Sequence, residues 1–465
     1  MRLAVIAVAL TLAAAPAMAQ TAGGGAGAAP VASCGGNLAQ LNQITGWQTR
    51  WARELAAIAT LPPAEQATAL ARWRAAPGAI EADLAALRQN AGGERAAPSA
   101  VVRRVLAQVD ALLAAGLAPE LQDPDWRRFL DDELQPSIAA YAVFLRDVYI
   151  PAAPEGSSLA RSEAGHACFE DAVRQWSSRS LTAADLETMG ERYLDRYSGE
   201  LTRLAGQPSG AASAILARLR AEAVGGATSR DDILRLSRDA IIRAEAAAPR
   251  AFDTGSLTPL DVRPMAEALE AGMPAGFYEQ ASNGRTAAYV VNLSRPTERR
   301  LMAEVIAFHE GAPGHHLAFA TARSAGAFNS GFVEGWAIYA EHLADELGLY
   351  SGVDDRIGAA AKHLWASSRL IVEPGLHVHG WTRDQAIAFM RQTTPMSDEE
   401  IGIEVDRYLA MPGQSVAYMV GYDSIRLARE RTEQREGTGF DLRAFHRRLL
   451  GPGPQTLDSL EQSFP

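Results

Sequence analysis

Between residues 37 and 252 apolar positions recur at intervals of three and four, in runs at 38–59, 64–88, 101–113 and 231–248. Ala, Leu, Arg and Glu dominate these runs, and Gly or Pro clusters separate them. Such spacing lines up apolar side chains on one helix face and predicts a series of packed helices. The pattern changes over 276–295, where Ala287, Ala288, Tyr289, Val290, Val291 and Asn292 form a short, partly β-branched segment between turn formers. One of few strands is expected there. Helical patterning resumes at Thr297, again at Thr382 with Gln385 three residues on, and at Ser397 with Glu400 three residues on. The last two pairs have the spacing of a capping box, in which side chains satisfy the free amides of a helix start. No fixed-period repeat forces a solenoid. The predicted fold class is mainly α, a large multi-helix fold with two packed helical lobes around a central cleft and few short strands. An N-terminal helical region over 37–260 and a second over 261–465 are expected, either as separate units or as one continuous domain.

The chain has 465 residues, 48% of them hydrophobic and 21% charged, which is ordinary for a globular protein with a large buried core. A formal charge of −11 disfavours binding to phosphate backbones, so no nucleic acid partner is expected. At the N-terminus Arg2 precedes an apolar run that ends in Ala17, Met18 and Ala19. That order reads as an export signal over 1–19, cleaved near Ala19, and predicts a periplasmic protein. The run is shorter than the roughly 20 residues that cross a bilayer, and no later stretch is apolar enough, so no membrane span is expected. Residues 20–36 are rich in Gly and Ala and read as a flexible leader. Within it Val31, Ala32, Ser33 and Cys34 resemble a lipoprotein processing site, an alternative anchoring route. Cys34 and Cys168 are the two cysteines, and an oxidising compartment would permit them to pair.

Candidate chemistry gathers between 309 and 342, where His309, His315, His316 and His342 stand with Glu310, Glu334 and Glu341. Neutral imidazoles suit a borderline metal, and a carboxylate beside one can take a proton from water. In the familiar H-E-x-x-H arrangement the histidines are four apart on one helix face. Here the fourth position after His309 is Pro313. On an unbroken helix His315 would lie roughly 240° around and about 9 Å along from His309, and His316 about 10 Å along. Ligands about 2 Å from one ion cannot be so far apart. A shared metal therefore requires Pro313 and Gly314 to break the helix, which their backbone chemistry permits. Glu334 falls in an apolar stretch where a carboxylate needs a partner, and a metal would provide one. It lies 19 positions after His315 (334 − 315), close to the spacing of the glutamate ligand in gluzincin peptidases. That favours His309, His315 and Glu334 as ligands, with His316 as the alternative to His315. Zinc is the expected ion, although other divalent metals suit His and Glu ligands. Glu341 and His342 are candidates for orienting ligands or for a solvated helix face.

At these residues the chain resembles the bacterial family catalogued as domain of unknown function 885, itself similar to helical zinc peptidases. The motifs are His309-Glu310 with Pro313-Gly314-His315-His316, and Glu334-Gly335-Trp336-Ala337 with Tyr339 and Glu341. Gly380-Trp381-Thr382-Arg383, Glu404-Val405-Asp406-Arg407-Tyr408 and Pro412-Gly413-Gln414 follow. The resemblance implies a predominantly helical metallohydrolase. Where this chain has Glu373, Pro374 and Gly375, members of the family it resembles often have an aspartate near the glycine, whereas His377 matches.

The expected function is an exported zinc-dependent peptidase of oligopeptidase or carboxypeptidase type, acting on a peptide or small amide. Zinc would acidify a water, and Glu310 would receive its proton and pass it to the leaving amine. Tyr418 or Tyr422 would donate to the oxyanion, although four residues apart they equally suit a core helix face. Arg369, Arg383 and Arg407 would hold a substrate carboxylate or make ordinary ion pairs. The alternatives are a hydrolase of another amide or ester, and a noncatalytic helical binding protein with a degraded site.

Overall fold

A computed structural model describes residues 41–465 apart from 95, 158, 226–227, 254–256, 271–272 and 282–284. The export signal, the leader and Cys34 lie outside the described residues. Helices dominate, and proline and asparagine set several of their ends. The run expected over 64–88 divides into Pro63–Trp73 and Ala76–Asn90. Pro77 falls in the first turn of the second helix, where its missing N–H is no loss; inside a continuous helix it would break a hydrogen bond. Of the run expected over 38–59, the described part is helical from Trp47, as Trp47–Ala59. Ahead of it the Asn42 side chain accepts from the amides of Ile44 and Thr45 and holds a turn instead. Ser99–Ala115 and Arg230–Ala247 follow the pattern closely.

Thr382 and Gln385 cap the helix Arg383–Thr393 reciprocally. At Ser397 only half of the box forms. Its hydroxyl accepts from the amide of Glu400, whereas the Glu400 carboxylate faces Arg299 at 3.7 Å. The charged partner outcompetes the local amide.

The strand expected at 287–292 is β3 (Ala287–Val291), the middle of a three-stranded sheet with β1 (Leu260–Pro264) and β2 (Gly276–Glu279). β1 pairs parallel to it and β2 antiparallel, and all five β3 residues are buried. Asn292 ends the strand by donating to the carbonyls of Glu270, Met273 and Pro274.

Two large apolar clusters form. One draws on residues from Leu41 to Tyr149, the other mainly on residues from Leu159 to Phe464, running through residue 260 without interruption. Inside the larger cluster, Ser330–Glu346 packs along Ala417–Glu436, and Ala183–Leu204 along Val353–His377. The first pair meets at glycines. A Cβ on Gly335 would stand 2.5 Å from the Cα of Gly421, and one on Gly421 would stand 1.7 Å from the carbonyl oxygen of Gly331. Only hydrogen fits at these positions, so the two backbones are held at contact. Among the described residues no helix is long and apolar enough to cross a membrane.

Candidate metal centre

The His309 helix, Ala303–Glu310, stops at Glu310, and a new helix, His315–Thr321, begins after four intervening residues. The intervening turn contains a cis Ala312–Pro313 bond. Gly314 is required in it, since a Cβ there would lie 2.0 Å from the His309 carbonyl oxygen and 2.4 Å from that of Phe308. Trp336, on the Glu334 helix, donates its indole N–H to the carbonyl oxygens of Pro313 and Gly314, each at 3.1 Å. One side chain thus ties the turn to the helix that supplies the glutamate.

The result is convergence. His309 Nε2 lies 3.3 Å from Glu334 Oε2, and His315 Nε2 lies 3.5 Å from the same oxygen. Ligand atoms of His309, His315 and Glu334 all fall within 4.8 Å of one another, and all three residues are buried. Two ligands about 2.0–2.1 Å from one ion at a tetrahedral angle are roughly 3.3 Å apart, close to the two His–Glu distances. Glu334 Oε2 has no hydrogen-bond partner despite its burial, as does the outer nitrogen of His315, Nδ1. Both imidazoles lie within ion-pair reach of this buried oxygen without a well-formed hydrogen bond to it, and a shared cation would engage all three.

Electrostatics at the three residues reflect the crowding. Burial opposes ionisation of Glu334, but the imidazoles of His309 and His315 outweigh it and hold the carboxyl well below its usual range. Burial and the Lys362 ammonium act against protonation of His309. Glu334, Glu341 and Glu310 act for it and prevail, raising the ring to about 8.

His316 turns away from the group. Its Nε2 meets the Thr258 carbonyl at 2.8 Å and its Nδ1 faces the Tyr278 hydroxyl at 3.4 Å. Glu341, two helical turns after Glu334, is fully buried and lies 2.6 Å from His309 Nδ1. It orients the ring and faces no solvent. Its other partners are Lys362 at 2.5 Å and His363 at 2.9 Å. His342 stands one layer further out, stacked on His363 and Tyr422 and bonded to the Tyr197 hydroxyl.

Glu310 is 8% exposed, and its carboxylate forms no hydrogen bond or ion pair among the described residues. It follows His309 directly and remains available as a base. The two tyrosines separate. Tyr418 stacks on His309 with ring centroids 6.1 Å apart, and its oxygen accepts from Arg407 at 3.3 Å, leaving its own hydrogen to donate. Burial pushes this phenol up to about 12. Tyr422 packs against His342 and Tyr193.

The three arginines all have carboxylate partners. Arg383 is committed to Asp406, and Arg369 and Arg407 share Glu404. Glu373 accepts from the amides of Gly413 and Ser415, while His377 donates from Nε2 to the Tyr408 carbonyl and meets the Ser157 hydroxyl through Nδ1, away from the histidine group. Sequence reasoning missed Lys362 and His363. A signal was present, because Lys362 is the only lysine in the chain. Trp336 was quoted in a motif, but its bond to the turn had no signature in spacing.

Comparison with known proteins gives a family and a fold. The profile of the family described as "Bacterial protein of unknown function (DUF885)" matches residues 5–464. No curated protein matches the chain. One similar solved structure, described as a "putative lipoprotein" from Colwellia psychrerythraea, has a TM-score of 0.78 at 22% identity, covering 91% of this chain and 80% of that one. A second, described as a "putative lipoprotein of unknown function" from Shewanella oneidensis, has a TM-score of 0.67 at 20% identity, covering 89% and 82%.

Proposed function

We propose, for a chain that belongs to the bacterial family DUF885, the activity of a metal-dependent hydrolase, a zinc peptidase of oligopeptidase or carboxypeptidase type. One observation carries this reading: the unbonded, buried Oε2 of Glu334 with the Nε2 atoms of His309 and His315 at 3.3 and 3.5 Å. Bound zinc would leave a fourth position open, polarise a scissile carbonyl and lower the pKa of water. Glu310, unpaired beside His309, takes the proton from the attacking water and delivers it to the leaving amine. Tyr418 donates its hydroxyl hydrogen to the oxygen that gains charge, while Arg407 keeps the phenol oriented. A noncatalytic binding protein would not need an unpaired Glu310. The lipoprotein descriptions of the two similar structures, together with the pattern ending at Ala19, support export to the periplasm.

Elemental analysis of the purified native chain, followed by incubation with a mixed peptide library with and without chelator, tests the reading. One equivalent of zinc and chelator-sensitive cleavage are expected. Metal binding without peptide turnover would move the substrate to another amide or ester, and a chain that takes up no divalent metal would sink the proposal.

A further inference from the structure

We infer that Lys362 is the positioning residue of this metal centre, fixing Glu341 so that His309 presents Nε2 to the ion. The inference rests on the metal-binding reading above. Glu341 Oε1 is met by Lys362 Nζ at 2.5 Å and by His309 Nδ1 at 2.6 Å, while Oε2 is met by His363 Nε2 at 2.9 Å. The side chain of Glu341 is fully buried and that of Lys362 is 8% exposed. A buried carboxylate is costly without a compensating cation, and Lys362 is the cation bonded to it. Held on both oxygens, Glu341 accepts the Nδ1 hydrogen of His309 and fixes both the tautomer and the ring plane. Nε2 then faces Glu334, 3.3 Å away.

The choice of lysine carries its own information. Every other Lys or Arg position of the chain is an arginine, and burial does not explain the exception, since Arg369 and Arg407 are buried too. The geometry does. Arginine binds carboxylates best as a planar fork on both oxygens, but Oε2 of Glu341 is already taken by His363. On Oε1 the cation must also fit 3.5 Å from His309 Nδ1. A compact ammonium meets one oxygen at that spacing, and a guanidinium in the same place would displace one of the two rings.

Lys362→Arg and Lys362→Met test this, with circular dichroism as the check of folding. The readouts are the zinc dissociation constant, by chelator competition, and the visible absorption of the cobalt(II)-loaded chain. Both variants are expected to bind zinc about 10–100-fold more weakly than the wild type, the usual consequence of losing a ligand-orienting group. The cobalt bands should shift, and the retained charge of the arginine variant should not rescue either property. If Lys362→Met does not fold, Lys362→Arg decides. Folded variants with wild-type zinc affinity and unchanged cobalt bands overturn the inference, as does failure of both to fold, which would make the lysine a requirement of the fold. A wild-type chain that binds no metal overturns the metal-centre reading as well, so the two failures are distinguishable.

Discussion

Beside the three converging residues, Glu310 and Tyr418 each have a free capacity. The carboxylate of Glu310 is unpaired, and the phenol of Tyr418 has its oxygen held by Arg407 with a hydrogen to spare. Glu310→Gln is expected to retain its metal, since the carboxylate is not among the three converging ligands. It should lose turnover by about 10²–10⁴-fold, the range for removing a general base. Metal content and peptide hydrolysis measured on one preparation check this, and an active variant would exclude Glu310 as base. Tyr418→Phe is expected to lower kcat by about 10²–10³-fold with KM and metal content little changed, as for loss of one oxyanion donor. Steady-state kinetics alongside Tyr422→Phe provides the comparison, because Tyr422 contacts His342 and Tyr193 and should affect kcat far less.

At the scale of elements, the site depends on one turn and one helix contact. The turn after Glu310 is joined through Trp336 to the helix that carries Glu334 and Glu341, and that helix is registered against Ala417–Glu436, which carries Tyr418, by glycines in contact. Gly335→Ala would put a Cβ 2.3 Å from the Gly421 carbonyl carbon and 2.6 Å from the Tyr422 amide nitrogen. Backbone cannot yield there as a side chain would, so the helices must separate, at a cost of about 1–3 kcal/mol or more. Urea denaturation measures the loss directly, and unchanged stability would show that the two helices slide freely. The capping boxes illustrate how far local pattern reaches. Thr382 and Gln385 pair as their spacing predicts, but Glu400, with the same spacing from Ser397, is drawn off by an arginine distant in sequence. A three-residue motif records the local option and not its competitor.

Across the whole molecule, burial also sets a response to acid. His446 is enclosed by Phe252, Trp336 and Phe445, and it is bonded to the Tyr339 hydroxyl and the Ala251 carbonyl. Burial lowers its pKa from 6.5 to about 3. Between those values the unfolded chain binds a proton there that the folded chain does not, so stability falls as pH falls through this window. For this one ring the slope is about 1.4 kcal/mol per pH unit. Unfolding free energies measured from pH 6.5 down to 4 should decline less steeply in His446→Gln than in the wild type. Equal slopes would mean that the ring protonates without unfolding.

The helical class, the short strand at 287–291 and the need for a broken helix after Glu310 were all legible in the sequence. Each follows from periodicity, residue type and the limits of backbone geometry, which act over a few residues. Residue type, spacing and the likeness to gluzincin peptidases pointed to His309, His315 and Glu334, but left His316 open and gave Tyr418 and Tyr422 equal standing. Only the packing turned His316 toward Thr258, brought Tyr418 over His309, and joined Lys362 and His363 to Glu341. A one-dimensional pattern shows which face a residue occupies. What that face meets depends on elements tens or hundreds of residues away, and a buried charge cluster exists only once those elements have closed around it.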